Sequence, residues 1–170
     1  MVILIAGGTH TGKTVLAQYL LEKYNFPYLS IDHLKMGLIR SGKTKIGVDE
    51  DKRLTRYLWP IVREIIKTNI ENKQNIIIEG CYIPFIWKKD FTPAELKKIN
   101  YLCLIMSEEY INKNFSKIVK YENKIEKRKF KGDVDKQKLI EENNLNLKMC
   151  KKFACPYILI DKDFNTDLKY

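Results

Sequence analysis

Apolar runs alternate with amphipathic segments along this chain, and the alternation predicts an α/β fold built on a parallel sheet. The apolar runs are short and unbroken, which is typical of strands buried on both faces. Five such strands are predicted, in segments 2–6, 28–31, 75–80, 101–106 and 156–161. We therefore expect a three-layer arrangement in which helices cover both faces of the sheet.

Two long amphipathic helices are predicted in the first half of the chain. The first runs from Lys13 to Tyr24, and Pro27 stops it. The second runs from Leu54 to Ile70 and contains Pro60, which must lie near its start or kink it. Segment 40–53 has two glycines and mixed charge, so we expect an exposed loop there.

Capping residues mark the starts of further helices. Asp32 directly follows the second strand and is placed to cap a short helix through Ile39. In the sequence TPAEL, Thr92 is the predicted N-cap and Glu95 its capping-box partner. Ser107 is expected to cap the helix after the fourth strand, and another helix should end near residue 152.

The length suits one domain spanning residues 1–170. No apolar run approaches the roughly 20 residues that span a bilayer, and the start lacks the pattern of a secretory signal. We therefore expect a cytoplasmic protein with no membrane partner. A single C-x4-C spacing is weak evidence for a metal site, so buried free thiols are expected at all four cysteines, Cys81, Cys103, Cys150 and Cys155.

The net charge of +10 raises the question of a polyanionic partner. Lysine and arginine total 31, but only five of these residues are arginines. Arginine is the side chain that usually recognises phosphates and bases through paired hydrogen bonds. The composition therefore argues against a nucleic-acid partner, and RNA binding is kept as an alternative.

The segment from Gly7 to Thr14 matches the phosphate-binding pattern G-x-x-x-x-G-K-[ST] with no substitution. Glycines let successive backbone N–H groups curl around phosphates, and the following helix adds its positive N-terminal end. The Lys13 ammonium is expected to reach the terminal phosphates, and the Thr14 hydroxyl to ligate Mg²⁺. The pattern predicts a nucleoside triphosphate site formed by Gly8, Thr9, His10, Thr11, Gly12, Lys13, Thr14 and Val15.

Two acids end strands at the edge of the sheet where this loop lies. Ligands of parallel sheets gather at the carboxyl ends of the strands, so both acids should face the same crevice. Asp32 would orient or deprotonate an acceptor, or it is a plain helix cap. Glu79 would hold magnesium or the acceptor, or it marks the solvent end of a buried strand.

Phosphoryl transfer also requires cations beyond the loop lysine. Arg128 is the candidate, in a charged segment at about 121–136 that we interpret as a possible lid over ATP, or as a solvated helix end. Arg40, Arg53 and Arg56 lie around the glycine-containing loop. They suit an anionic acceptor, or they decorate exposed helices.

Together these features resemble the small P-loop kinases of the adenylate-kinase-like group. The segment LSIDHLKMGLIRSG (29–42) is similar to the adenylate kinase segment that binds the nucleoside monophosphate, with the core Thr-Gly-Asp-Met-Leu-Arg. The segment IIIEGCYIP (76–84) resembles the Asp-Gly-Phe-Pro-Arg end of that family's third strand. The core positions of the first segment are held here by Ser30, Ile31, Asp32, His33, Leu34 and Lys35.

The resemblance implies a five-stranded parallel sheet in the order 2-3-1-4-5, with ATP, Mg²⁺ and transfer of the γ-phosphate. It also places Lys35 where the family has its monophosphate-binding arginine, which makes Lys35 a candidate substrate-binding residue. Ile31 replaces a family glycine, and His10 stands where kinase loops usually carry glycine. Related phosphotransferases that act on hydroxyls of small metabolites, including 2-phosphoglycerate-kinase-like proteins, also have an acid after the second strand.

The sequence thus predicts an ATP-dependent phosphotransferase for a small-molecule hydroxyl or phosphate acceptor. The predicted catalytic residues are Lys13, Asp32 and Arg128. Substrate binding is assigned to Asp32, Lys35, Arg40 and Glu79, and metal binding to Thr14 and Glu79. One alternative is a nucleoside monophosphate kinase in the narrow sense, and another is a nucleotide-binding regulatory module with little catalysis.

Overall fold

A computed structural model describes residues 1–121 and 134–162. These residues form five strands, β1 Val2–Gly7, β2 Tyr28–Ser30, β3 Ile76–Glu79, β4 Ile99–Met106 and β5 Tyr157–Ile160. The strands make one sheet in the order β2-β3-β1-β4-β5, and every pair of neighbouring strands is parallel. Both the predicted α/β fold and the strand order implied by the resemblance are confirmed.

Helices cover both faces of the sheet, as expected for strands that are apolar on both sides. The helices are α1 Lys13–Tyr24, α2 Ile31–Arg40, α3 Asp51–Glu71, α4 Pro93–Leu96, α5 Glu108–Tyr121 and α6 Lys136–Lys152, with a 3₁₀ turn at Trp87–Asp90. One core lies between the sheet and α3, and the other lies between the sheet and α1, α5 and α6.

Strand β1 lies at the centre of the sheet and supplies both cores. Its six residues are all buried. Val2 and Leu4 belong to the core beneath α3, whereas Ile3 and Ile5 belong to the opposite core, because successive side chains of a strand point to opposite faces. The loop that follows β1 therefore emerges from the buried centre of the sheet.

The predicted role of Asp32 as a helix cap is wrong. Strand β2 passes directly into α2, and the extended residue Ser30 occupies the N-cap position. Asp32 lies in the first turn of α2, where its carboxylate forms an ion pair with Lys35 one turn further along. Its negative charge still suits the positive end of the helix.

The boundaries of α3 also differ from the prediction. The helix begins at Asp51, so the last three residues of the predicted loop 40–53 are helical. Pro60 lies well inside α3 rather than near its start. Proline has no N–H, so the carbonyl of Arg56 lacks its usual helical donor, and this position faces solvent because Pro60 and Arg56 are both exposed.

The capping predictions after β3 are confirmed. Thr92 and Glu95 form a complete capping box at the start of α4. The Ser107 hydroxyl oxygen accepts a hydrogen bond from the backbone N–H of Tyr110 at 3.1 Å, at the start of α5. These contacts satisfy backbone donors that have no partner within the helix.

All four cysteines lie in the described part of the chain as free thiols, and all except the partly buried Cys81 are buried. Within residues 1–121 and 134–162, no group of three histidine, cysteine or acidic side chains is placed to hold a metal ion. No helix of the same residues is both long enough and apolar enough to cross a membrane.

Candidate active site

The loop between β1 and α1 depends on two glycines for its shape. Gly7 has φ +142°, and a Cβ there would lie 2.4 Å from the backbone oxygen of Leu104 on the neighbouring strand β4. Gly12 precedes α1 with φ +86°, a left-handed conformation that side chains rarely adopt. The first glycine lets the chain leave the sheet in close contact with β4, and the second turns it into the helix.

His10 also has a left-handed backbone, with φ 63°. Histidine is among the residues other than glycine that are enriched in this region. The structure thus places His10 in a conformation that suits glycine, at the position where the resemblance leads one to expect glycine. The backbone of the loop can therefore keep its curl despite the substitution.

Two side chains close the loop from inside by donating to one carbonyl oxygen. The Thr11 hydroxyl lies 2.9 Å from the Gly8 oxygen, and the Lys13 ammonium lies 2.6 Å from the same atom. Thr11 and Lys13 are both buried. The loop therefore curls around the lysine ammonium.

Lys13 is the cationic centre of the site. Burial alone would lower the pKa of Lys13, but the pKa is raised because the acidic groups around the ammonium, with the carboxylates of Glu79, Asp32 and Glu142 among them, favour the charged form. Burial raises the pKa of the Cys81 thiol, so this thiol is neutral at physiological pH. The three carboxylates therefore supply the attraction, and Lys13 remains an ammonium ion.

Thr14 and Glu79 are brought together as the sequence predicted. The Thr14 hydroxyl lies 3.4 Å from Oε1 of Glu79, and Glu79 is only 1% exposed. A hydroxyl and a buried carboxylate at the phosphate loop fit Mg²⁺, which prefers oxygen and takes one or two carboxylates together with substrate phosphates. The donor set therefore suits a metal that arrives with a nucleotide rather than a permanent metal centre.

A second polar network lies beside the loop, at the ends of β2 and β3. Asp32 pairs with the Lys35 ammonium at 2.7 Å, and Lys35 also donates to the Tyr82 hydroxyl at 2.9 Å. The Tyr82 hydroxyl in turn donates to Oδ1 of Asp51 at 3.1 Å. Burial, with the nearby charges of Asp51 and Asp32, raises the pKa of Tyr82, so its hydroxyl keeps its proton. The network fixes Asp32 next to the phosphate loop.

Solved structures with this architecture are known. A putative kinase from Chloroflexus aurantiacus is 15% identical, with a TM-score of 0.53, over 99% of this chain and 91% of its own. Shikimate kinase from Acinetobacter baumannii, solved with shikimate, is 16% identical, with a TM-score of 0.53, over 97% and 85% of the two chains. Deoxyadenosine kinase from M. mycoides, solved with dCMP and dCDP, is 14% identical, with a TM-score of 0.57, over 98% and 93%.

This chain has the fold of the P-loop kinases. Its sheet has the strand order β2-β3-β1-β4-β5, and its phosphate-binding sequence begins at the end of β1. No family model matches the sequence, and no curated protein matches it either.

Three of the arginines named from the sequence lie at exposed positions of helices, and a fourth lies outside the described residues. Arg40 is exposed at the end of α2, about 12 Å along the helix axis from Asp32. Arg53 and Arg56 are exposed on α3. Arg128 lies outside the described residues, as do residues 122–133 of the predicted lid at 121–136.

The structure adds residues to the crevice that the sequence reasoning missed. Cys81 and Tyr82 follow Glu79 in the loop after β3, and their position in that loop was the available signal. Asp51 and Glu142 come from helices α3 and α6, far away in sequence. No local pattern distinguishes either of these acids from its exposed neighbours.

Proposed function

We propose that this protein is an ATP-dependent phosphotransferase that moves the γ-phosphoryl group of ATP to a hydroxyl group of a small molecule. The observation that carries the proposal is the convergence on one buried lysine of a phosphate-binding loop, an acid in the first turn of α2 and an acid at the end of β3. Lys13 lies within electrostatic reach of both Asp32 and Glu79. The fold supports the proposal, because the kinases of shikimate and of deoxyadenosine share it.

Each of these residues has a role in the proposed reaction. The backbone N–H groups of the loop and the Lys13 ammonium hold the β- and γ-phosphates and stabilise the charge on the moving phosphoryl group. Thr14 and Glu79 would hold Mg²⁺, which neutralises phosphate charge when bound. Asp32 accepts the proton of the attacking hydroxyl. The new bond joins the acceptor oxygen to the γ-phosphorus, the bond to the β–γ bridging oxygen breaks, and ADP leaves.

The surroundings of Asp32 favour a hydroxyl acceptor over a phosphate acceptor. Lys35 is the residue that would bind the phosphate of a nucleoside monophosphate, by resemblance to the adenylate kinases. Its ammonium is already paired with Asp32 and bonded to Tyr82, and its side chain is only 12% exposed. A phosphate entering this position would have to break the ion pair and approach the carboxylate of Asp32. A neutral hydroxyl can bind to the Asp32 carboxylate and the Lys35 ammonium without the repulsion that a phosphate would meet at the carboxylate.

The experiment is a panel of candidate acceptors with an unreactive ATP analogue, read by thermal shift. Ligands that bind the native state raise its apparent stability. Sugars, hydroxylated acids and nucleosides form one arm, and AMP, CMP, GMP and UMP form the other. Compounds that raise the melting temperature are then tested for transfer with ATP, with Lys13→Ala as the inactive control. Transfer to a nucleoside monophosphate and to no hydroxyl compound would contradict the proposed acceptor class.

A further inference from the structure

Helix α6 places a carboxylate on the phosphate-binding loop. Oε2 of Glu142 accepts a hydrogen bond from the backbone N–H of Thr9 at 3.2 Å. The same oxygen accepts a second hydrogen bond from the Thr9 hydroxyl at 3.0 Å. The Thr9 amide is one of the donors that a P-loop presents to phosphate, so a protein anion occupies a position where a nucleotide phosphate would bind.

The glutamate lies directly against the loop backbone. A Cβ built on Gly8 would lie 2.8 Å from Cδ of Glu142 and 2.9 Å from its Oε2. The carboxylate is also one of the charges that raise the pKa of Lys13. Glu142 therefore makes both kinds of contact expected of a bound phosphate, namely hydrogen bonds from the loop amide and attraction to the loop lysine.

The neighbouring residue explains why the carboxylate lies there. Asn143 is 1% exposed, and its Oδ1 accepts a hydrogen bond from the backbone N–H of Met106 at 2.8 Å, at the end of β4. Its Nδ2 donates to the Leu139 oxygen at 2.8 Å. The first bond attaches α6 to the end of β4 beside the loop, and the second lies within α6 and fixes the Asn143 side chain. The backbone of Glu142 is held in place, whereas its partly exposed side chain can change rotamer.

We propose that Glu142 is an internal competitor for the phosphate site and that it sets the nucleotide affinity of this protein. The inference rests on the proposed function, because it assumes that the loop binds nucleotide phosphates. Two anions in one partly buried site repel each other, and one N–H group cannot bond fully to both. The carboxylate must therefore leave Thr9 when a nucleotide binds, and the lost contact lowers the net affinity.

The test compares Glu142→Gln and Glu142→Ala with the wild-type chain by calorimetric titration of ADP and of an unreactive ATP analogue with Mg²⁺. Glutamine removes the charge but keeps an oxygen that can accept from Thr9, whereas alanine removes both. We expect binding to tighten by about tenfold in Glu142→Gln and by at least as much in Glu142→Ala. The matched control is Glu141→Gln, which changes the preceding exposed residue of α6, whose carboxylate accepts from Gln137.

Unchanged or weaker nucleotide binding in both Glu142 variants would overturn the inference. Weaker binding would mean that the carboxylate assists the nucleotide or its metal. Equal binding in all four proteins refutes the competitor role and leaves the proposed function standing, whereas no binding in any of them refutes both. Binding by the two Glu142 variants alone would support both. Thermal melting of each variant confirms that it is folded before titration.

Discussion

Gly7→Ala tests how the phosphate loop is attached to the sheet. Gly7 ends β1 and pairs with Leu104 of β4. A Cβ at this position would lie 2.4 Å from the Leu104 backbone oxygen and 2.9 Å from the Thr11 hydroxyl, at φ +142°. The alanine would therefore meet backbone that cannot move without separating two central strands.

Two effects contribute to the expected loss of stability. A non-glycine residue in such a sparsely populated backbone region costs about 1–3 kcal/mol. Forcing extra atoms into a packed region costs about 1–3 kcal/mol more. The sum is about 4 kcal/mol, which corresponds to a fall in melting temperature of about 8–16 °C for a domain of this size.

Two other glycines separate these effects. Gly42 has φ +71° with nothing within 4 Å of an added Cβ, so Gly42→Ala should cost only the backbone strain, about 1–2 kcal/mol. Gly37 lies inside α2 and also has nothing within 4 Å, so Gly37→Ala should stabilise the protein by about 0.5–1 kcal/mol. Urea and thermal unfolding of the three variants give the free energy of unfolding of each, and so rank their stabilities. A loss for Gly7→Ala within about 1 kcal/mol of that for Gly42→Ala would refute the proposed contact with β4.

Three further variants test the site and a helix cap. Lys13→Ala should reduce the rate of phosphoryl transfer by at least about 100- to 1,000-fold while unfolding stays cooperative. The control is Lys23→Ala, at an exposed position of α1. Unchanged turnover would reject the role of Lys13. Asp32→Asn should lower kcat by about 100- to 10,000-fold with little change in ATP affinity. A parallel loss of kcat and ATP affinity would mean that Asp32 has a structural role. The control is Asp49→Asn, at an exposed position. Hydrogen bonds from the Thr92 N–H and hydroxyl hold the pKa of Glu95 below its usual value. The Glu95 carboxylate therefore stabilises the fold at pH values above its pKa in the unfolded chain, and this contribution is lost as the pH falls through its pKa in the folded protein. Glu95→Gln should therefore destabilise the protein by about 0.5 kcal/mol near neutral pH and by progressively less below about pH 4, as measured by urea unfolding. A difference in unfolding free energy between wild type and variant that grows in acid would contradict the proposed role of the Glu95 carboxylate.

The phosphate loop and the strands could be predicted from sequence because their requirements are local. A P-loop needs particular residues at consecutive positions, and all of them occur between Gly7 and Thr14. Strands buried on both faces need continuous apolar runs, and β1, β3 and β4 have them. The order of the strands came from the resemblance rather than from any pattern along the chain.

The remaining features depend on contacts that no local pattern records. Glu142 meets Thr9 across 133 residues of sequence, and Tyr82 meets Asp51 across 31. Whether Asp32 caps α2 depends on where β2 ends and the helix begins. That boundary lies at Ser30, the last residue of β2 that pairs with β3. Arg40 lies close to Asp32 in sequence, but the length of α2 separates the two residues by about 12 Å along the helix axis.

Calorimetric titration of the wild-type chain and Lys13→Ala with Mg²⁺ and an unreactive ATP analogue tests most directly whether this loop is a nucleotide site. We expect saturable binding of one nucleotide per chain in the wild type, and a severe loss of that binding in Lys13→Ala. If neither the wild type nor Glu142→Gln gave a saturable heat with any nucleoside triphosphate, the loop would not be a nucleotide site.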